Sequence, residues 1–281
     1  MFQLSWLQAV NCGISVKLGL AFAQIGEIRG EEDQFVGLGV ILAVDAGNSR
    51  VKWGLHDGHG WCRKGWAANA DAAALESAWA TMEAPGRIVV SNVAGETMRH
   101  TLARCFSRWP LEACWITATA RQCGVRNAYD HPAQLGCDRW AALIAARRHC
   151  EGGCVVVNAG TAVTVDALTD DGTFLGGLIV PGLTPMRHAL AARAAALGVA
   201  SGNFSSFPCN TADAVHSGIL SAIAGAVEKM VAALAEKSGK VPLCLVSGGD
   251  AGLVRERLSV AVTIVDNLVL DGLIEIAKEL T

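Results

Sequence analysis

The chain has 281 residues, of which 52% are hydrophobic and 17% charged, and its formal net charge at pH 7 is -3. This composition is typical of a globular protein with a well-buried core and excludes disordered and fibrous classes. A surface that tracks nucleic-acid phosphates is strongly basic, so the weak negative charge also argues against nucleic acid as the main partner.

The first 39 residues are predicted to be an extension of uncertain structure. Residues 4–25 are fairly apolar but are interrupted by polar residues such as Lys17, and they lack the basic start and the small-residue cleavage site of a signal peptide. A membrane anchor is one interpretation. A poorly structured extension, or a start codon chosen too far upstream, fits better because the ordered pattern begins only at Val40. We therefore expect no membrane partner.

The first half of the ordered chain, residues 40–150, is predicted to be one α/β domain. Residues 40–44 form a continuous apolar run, as in a buried strand, and residues 50–56 alternate with period two, as in a half-buried strand. The other predicted elements are a strand at 61–67, a helix at 70–80, a strand at 88–91, a helix at 96–109, a strand at 114–116 and a linking helix at 138–150.

The second half, residues 151–281, repeats this order and is predicted to be a second domain. Its predicted elements are strands at 154–157, 163–168 and 173–180, helices at 185–197 and 212–237, and strands at 243–246 and 262–265. Such a duplication is typical of the ribonuclease-H-like fold pair of actin, chaperone ATPases and many sugar kinases, with the ligand in the cleft between the domains. A single mixed α/β domain with two incidental glycine turns is the alternative.

Two matching turns follow the first strand of each half. They are Asp45-Ala46-Gly47-Asn48-Ser49 and Asn158-Ala159-Gly160-Thr161-Ala162. Glycine lets a phosphate approach the backbone, and short hydroxyl and amide side chains add further donors. Each turn alone is equally consistent with an ordinary hairpin. Their occurrence at matching places favours phosphate binding and predicts an ATP-dependent kinase for a small molecule.

Charged residues accompany these turns. Lys52 follows the first turn and is placed to reach a terminal phosphate, while Asp45 ends a buried strand and is placed to hold Mg²⁺ through water. Asp138 and Arg139 stand together at a helix start. A carboxylate there could take a proton from a substrate hydroxyl, and the guanidinium could grip a substrate carboxylate. From these two residues alone, a helix cap with a surface salt bridge is the simpler interpretation.

Five motifs in this order resemble the type III pantothenate kinases. They are Asp45-Ala-Gly-Asn-Ser, Gly136-Cys-Asp-Arg, Asn158-Ala-Gly-Thr-Ala, Gly176-Gly-Leu-Ile-Val-Pro-Gly182 and Ser247-Gly-Gly-Asp-Ala251. The resemblance implies a cytoplasmic homodimer that phosphorylates pantothenate with ATP and Mg²⁺, the first step of coenzyme A biosynthesis. The family also includes Bvg accessory factors, so a regulatory protein of the same fold is one alternative. A kinase for another small hydroxylated substrate is the other.

The resemblance also implies individual site residues. The implied ATP-binding residues are Asp45, Gly47, Asn48, Ser49, Lys52, Gly160, Thr161, Gly248 and Gly249. The implied pantothenate-binding residues are Tyr129, Gly136, Cys137, Asp138, Arg139 and Thr211. Among these, Asp138 would be the general base and Arg139 would face the pantothenate carboxylate.

Two positions depart from the family pattern. Ser49 stands where many members have threonine, and it keeps the hydroxyl. Asn158 stands where the family usually has the aspartate that helps to bind an activating monovalent cation, K⁺ or NH₄⁺. An amide oxygen can coordinate a hard cation but brings no charge, and Asp166 is the nearest other carboxylate in this hairpin.

The ten cysteines predict neither disulfides nor a metal site. No Cys-x-x-Cys pair occurs, and the close pair Cys150 and Cys154 has no second Cys/His pair with metal-ligand spacing. A free thiol in an apolar run behaves as a small hydrophobic side chain. We therefore expect reduced thiols, as in a cytoplasmic protein.

Overall fold

The structure, a computed structural model, describes residues 39–193 and 201–280. The predicted N-terminal extension therefore lies outside the described residues, apart from its last residue, Gly39. The described chain is an α/β fold built on two sheets.

The first sheet has five strands in the order β3-β2-β1-β4-β5. These strands are β1 (Ile41–Ala46), β2 (Arg50–His56), β3 (Trp61–Ala68), β4 (Arg87–Asn92) and β5 (Ala113–Trp115). β1, β2 and β3 pair antiparallel, whereas β1, β4 and β5 pair parallel. Every residue of β1 is buried, as expected for a continuous apolar run at the centre of a sheet.

Two helices cover one face of this sheet, α1 (Ala72–Trp79) and α2 (Glu96–Phe106). The Asp71 side chain caps α1 by accepting a hydrogen bond from the backbone N–H of Ala74. Trp79 and Phe106 stack with ring centroids 5.5 Å apart, so aromatic side chains dominate the core between the two helices.

The second sheet has seven strands in the order β12-β11-β8-β9-β10-β7-β6. Five of them are β8 (Cys154–Ala159), β9 (Ala162–Leu168), β10 (Thr173–Pro181), β11 (Leu243–Ser247) and β12 (Val262–Ile264). The order β10-β9-β8-β11-β12 and its antiparallel and parallel pairings repeat those of the first sheet. The predicted duplication is therefore confirmed.

The two further strands of the second sheet, β6 (Arg121–Gln122) and β7 (Val125–Asn127), were not predicted. They are too short to show a hydrophobic period. They form a tight hairpin through Cys123 and Gly124, both with positive φ, and β7 pairs with β10. Although they precede residue 150, they extend the second sheet; the boundary between the domains stays a prediction.

Two helices pack against each other over the inner faces of the sheets, α3 (Cys137–His149) and α7 (Leu268–Glu279). The sequence predicted α3 but missed α7. The two helices approach so closely at Gly272 that a Cβ there would lie only 1.8 Å from the carbonyl oxygen of Ala141. α3 is buried on nearly all sides, which explains its weak amphipathic pattern.

The remaining helices belong to the second half: α4 (Leu183–Arg193), α5 (Thr211–Ser238) and the short α6 (Ala251–Arg255), which was not predicted. α5 is long and apolar enough to cross a membrane by length and composition. Its inward side chains, such as Ile223 and Val227, pack with β8 and β9 in one buried cluster. In this fold α5 is therefore a core helix.

Candidate active site

The two predicted phosphate turns meet in the structure. The Oγ of Ser49, between β1 and β2, lies 2.7 Å from the Oγ1 of Thr161, between β8 and β9. Each turn is closed by a hydrogen bond from its glycine: Gly47 N–H donates to Arg50 O, three residues on, and Gly160 N–H donates to Ala162 O, two residues on, each at 3.1 Å. The duplicated hairpins thus present their exposed hydroxyls to one point.

Asn69, directly after β3, holds the first turn in place and was missed by the sequence analysis. Its Nδ2 donates to the carbonyl oxygen of Gly47 at 2.8 Å, and its backbone N–H donates to that of Ser49 at 3.1 Å. An asparagine in a polar loop carries no sequence signal that separates this role from an ordinary turn. Asn69 therefore fixes the backbone of the candidate phosphate loop.

Two glycines hold the second turn. The N–H of Gly182 donates to Thr161 O at 2.8 Å, and a Cβ on Gly182 would lie 2.0 Å from Gly160 O. Gly248 has a φ of +107° and packs against Ala159, whose oxygen would lie 2.2 Å from an added Cβ. Gly249 has open space beside it. Only glycine fits at 182 and 248, so both motifs support the turn directly.

Asp45 lies at the end of β1 beside the first turn, and one oxygen of its carboxylate lacks a partner. The residue is 8% exposed, and its Oδ1 has no hydrogen-bond partner. Burial, together with the charge of Asp138, raises the pKa of Asp45 to about 7, against the opposing effect of Lys52. Lys52 is the register partner of Asp45 across β1 and β2. A buried carboxylate of this kind is poised for a cation.

The residues present fit a Mg²⁺ that is bound mostly by substrate and water. Within residues 39–193 and 201–280, no group of three or more His, Cys, Asp or Glu side chains could hold a metal ion. Mg²⁺ usually uses one or two carboxylates together with phosphate oxygens and water. The unpartnered Oδ1 of Asp45, next to the phosphate turn, matches that requirement.

Asp138 lies in the first turn of α3, close to Asp45. Its Oδ1 accepts a hydrogen bond from the backbone N–H of Arg139 at 2.8 Å, and a Cβ on Gly136 would lie 2.6 Å from that oxygen. Burial raises the pKa of Asp138 above its ordinary value. The structure therefore brings the two predicted carboxylates together. Neighbouring Cys137 accepts a hydrogen bond from the buried Ser91 hydroxyl at 3.3 Å.

Arg139 is 5% exposed and is paired with a residue that the sequence analysis did not assign to it. Its Nε donates to both oxygens of the fully buried Asp166, at 3.2 and 3.1 Å, and its Nη2 donates to Oδ1. Its Nη1 donates to the Tyr129 hydroxyl at 3.3 Å. Tyr129 and Arg139 therefore lie together, as the resemblance implies, and the substrate role of Arg139 stays a prediction.

Thr211 and Asn158 are two further residues that the resemblance implies for the site. Thr211 begins α5 and lines an open groove of about 570 Å³ with Cys209 and Ala214. In the part of the chain that the structure describes, no hydrogen bond or ion pair joins Thr211 to Asp138. Asn158, at the end of β8, is opposite Thr164 and Ser247 in the sheet.

Comparison with known proteins identifies the family. The family model for type III pantothenate kinase matches residues 41–233. The chain is 51% identical over 240 residues to a type III pantothenate kinase from Nitrosospira multiformis, covering 85% of this chain and 92% of that one. It is 46% identical over 240 residues to the enzyme of that name from Aromatoleum aromaticum, covering 85% and 98%.

Two solved structures have the same fold. One is a protein from Campylobacter jejuni assigned to the Baf family of transcriptional activators, with a TM-score of 0.54, 21% identity, and coverage of 85% of this chain and 98% of that one. The other is assigned as a 2-dehydro-3-deoxygalactonokinase from Sinorhizobium meliloti, with a TM-score of 0.54, 15% identity and coverage of 85% and 99%.

These two likenesses concern the fold alone. They agree with the duplicated sheets of this chain. The family follows instead from the match over residues 41–233 and from the sequence identity across most of both chains. This chain belongs to the type III pantothenate kinase family.

Proposed function

We propose that this chain transfers the γ-phosphoryl group of ATP to pantothenate, the first step of coenzyme A biosynthesis. The observation that carries the proposal is the meeting of Ser49 and Thr161 at 2.7 Å, beside the buried Asp45 and Asp138. Phosphoryl transfer needs phosphate donors, a Mg²⁺ and a carboxylate near the attacking hydroxyl. The hydroxyls and carboxylates that could serve these needs lie near one another here, and the chain's relatives carry the name of the enzyme.

The paired turns would bind the ATP phosphates. Gly47 and Gly160 would let the phosphates approach the backbone of the turns, the hydroxyls of Ser49 and Thr161 would donate to phosphate oxygens, and Lys52 would meet the terminal phosphate. Asp45 would hold Mg²⁺ through water, and that ion, when bound, offsets the charge that develops on the phosphate oxygens. Gly249, with open space beside it, would lie against the nucleotide.

Asp138 would act on the substrate hydroxyl. Its carboxylate would orient the 4′-hydroxyl of pantothenate and accept its proton as the oxygen attacks the γ-phosphate. A base works best when its pKa approaches the working pH, and burial moves the pKa of Asp138 upward. Arg139 and Tyr129 would bind the pantothenate carboxylate, with Gly136, Cys137 and Thr211 as further contacts.

The proposal also covers the location, the oligomeric state, the domains and the activating cation of the enzyme. We infer a cytoplasmic homodimer of two-domain subunits, with domains at 40–150 and 151–281 and with K⁺ or NH₄⁺ as activator. Exposed apolar side chains on β10 and beyond α4 support self-association, since Ile179 is 63% exposed and Phe207 88% exposed.

A coupled assay of ADP release tests the reaction. The purified protein with ATP, Mg²⁺ and K⁺ should release ADP only when pantothenate is added, and the Asp138→Asn variant, prepared identically, should not. The matched variant excludes a contaminating kinase. Release that depends on a sugar instead would indicate a kinase for another substrate. No release with either would favour the regulatory protein.

A further inference from the structure

The ion pair between Arg139 and Asp166 uses only part of the guanidinium. Asp166 accepts hydrogen bonds from Nε, at 3.2 and 3.1 Å, and from Nη2. Nε and Nη2 form the side edge of the guanidinium. Tyr129 accepts from Nη1 at 3.3 Å. Among the described residues, the guanidinium of Arg139 has no other hydrogen-bond partner, so one N–H on each terminal nitrogen remains to serve a ligand.

The pair is a built feature of the core. Asp166 is fully buried and Arg139 is 5% exposed. Gly177 on β10 makes room for the pair, because a Cβ there would lie 2.0 Å from Asp166 Oδ1 and 2.8 Å from Arg139 Nη2. The rings of Tyr129 and Phe174 lie 6.0 and 5.8 Å from the guanidinium carbon. The guanidinium is therefore fixed on one edge and on its faces.

The charge state of the pair also suits a guanidinium that binds a ligand. Burial by itself would lower the pKa of Arg139, but the hydrogen bonds and the charge of Asp166 outweigh burial and raise that pKa. Arg139 is thus a permanent cation whose charge is balanced inside the protein. A substrate carboxylate meeting it would be selected by the geometry of the remaining N–H groups more than by net charge.

We propose that Asp166 is a positioning residue for the substrate: it holds the side edge of Arg139, so that the terminal N–H groups, together with Tyr129, meet the pantothenate carboxylate. The inference rests on the proposed function and deepens it. Asp166 would contact neither substrate and would act only through Arg139. It also follows that Asp166, which is engaged with Arg139, does not replace the carboxylate missing at Asn158.

Asp166→Asn tests this role by a difference between two ligands. The variant should raise the KM for pantothenate about tenfold or more, the scale of a hydrogen bond to a charged group, with the KM for ATP unchanged. The inhibition constant of pantothenol, in which a neutral alcohol replaces the carboxylate, should stay within about twofold of its wild-type value. The inference would be overturned if the variant bound pantothenate and pantothenol equally more weakly, or if it bound both as the wild-type protein does.

A double-mutant cycle with Arg139→Gln separates positioning from a general structural effect. If Asp166 acts only through Arg139, the double variant should have the same KM for pantothenate as Arg139→Gln alone. The double variant removes both charges of the pair, so it avoids the unpaired buried charge that Asp166→Asn leaves at Arg139. If Asp166→Asn raised the KM for pantothenate by its full factor again in the Arg139→Gln background, Asp166 would not act through Arg139.

The inference and the proposed function fail separately. A wild-type protein that does not phosphorylate pantothenate would remove the proposed function. A wild-type protein that does so, together with an Asp166→Asn variant of normal pantothenate KM, would remove the inference alone.

Discussion

The hydroxyl oxygens of Ser49 and Thr161 lie 2.7 Å apart, although the two residues are separated by 112 positions in the chain. Each lies in a hairpin turn, Ser49 between β1 and β2 and Thr161 between β8 and β9, and the two sheets repeat one order over five strands. The duplication therefore places two chemically similar turns face to face. A phosphate chain entering between them would exchange the hydroxyl–hydroxyl hydrogen bond for bonds to its own oxygens.

Removing the Thr161 hydroxyl should weaken ATP binding. Thr161→Ala should raise the KM for ATP about tenfold, the scale of one hydrogen bond to a charged phosphate, with little change in the KM for pantothenate. Thr161→Ser, which keeps the hydroxyl, is the matched control and should stay near wild type. Steady-state kinetics with each substrate varied in turn provide the measurement. An alanine variant with normal ATP kinetics would remove Thr161 from the phosphate site.

Asp138→Asn should lower kcat by on the order of a hundredfold or more, the usual scale for an acid–base group. The amide keeps the shape of the side chain and can still accept from Arg139 N–H, as Oδ1 does now at 2.8 Å. The thermal midpoint should therefore change little, and both should be measured on the same preparation. Near-normal turnover would show that Asp138 is not the base.

The buried Asp45 should make the metal-free protein less stable at alkaline pH. Its folded pKa of about 7 lies above the unfolded value of 3.8, so its contribution is fully present below pH 3.8 and is lost as the pH rises through 7. At about 1.36 kcal/mol per unit, this loss is on the order of 4 kcal/mol. Asp45→Asn should thus raise the thermal midpoint at pH 8 and raise it less at pH 5.

Mg²⁺ provides the control for this prediction. Added Mg²⁺ should raise the thermal midpoint of the wild-type protein at pH 8 but not that of Asp45→Asn, because the cation offsets the buried charge. The same variant should lack kinase activity. A pH-independent difference between the two proteins would contradict the burial of an ionisable carboxylate at this position.

Exposed apolar residues predict where the proposed dimer would form. Ile179, on β10, is 63% exposed. Ile179→Asp should shift a dimer to a monomer in equilibrium sedimentation at micromolar concentration, because a charge at a buried contact is costly to desolvate. Val241→Asp is a suitable control, since Val241 is 82% exposed in the loop before β11. A wild-type monomer would exclude the dimer itself.

The sequence predicted the regular elements with strong periodicity and the residues of the two turns. It could not predict the short hairpin of β6 and β7 or the helix α7, whose packing on α3 depends on the close approach at Gly272. Nor could it predict that Asn69 braces the first turn. The pairing of Arg139 with Asp166 was also out of reach, because it joins a helix start to a strand that follows in the chain.

Asn158 stands where the resemblance implies an aspartate, and its replacement tests the proposed monovalent cation. Asn158 lies near the end of β8, beside the second phosphate turn. The nearest carboxylate of the hairpin, Asp166, accepts hydrogen bonds from Arg139. Asn158→Asp should lower the K⁺ concentration for half-maximal activity about tenfold, because ligand charge raises affinity for hard cations. Asn158→Ala should remove any K⁺ response that the wild-type protein has. Turnover measured from zero to molar KCl, with ionic strength held by choline chloride, provides the comparison. An aspartate variant with an unchanged K⁺ dependence would place the cation elsewhere.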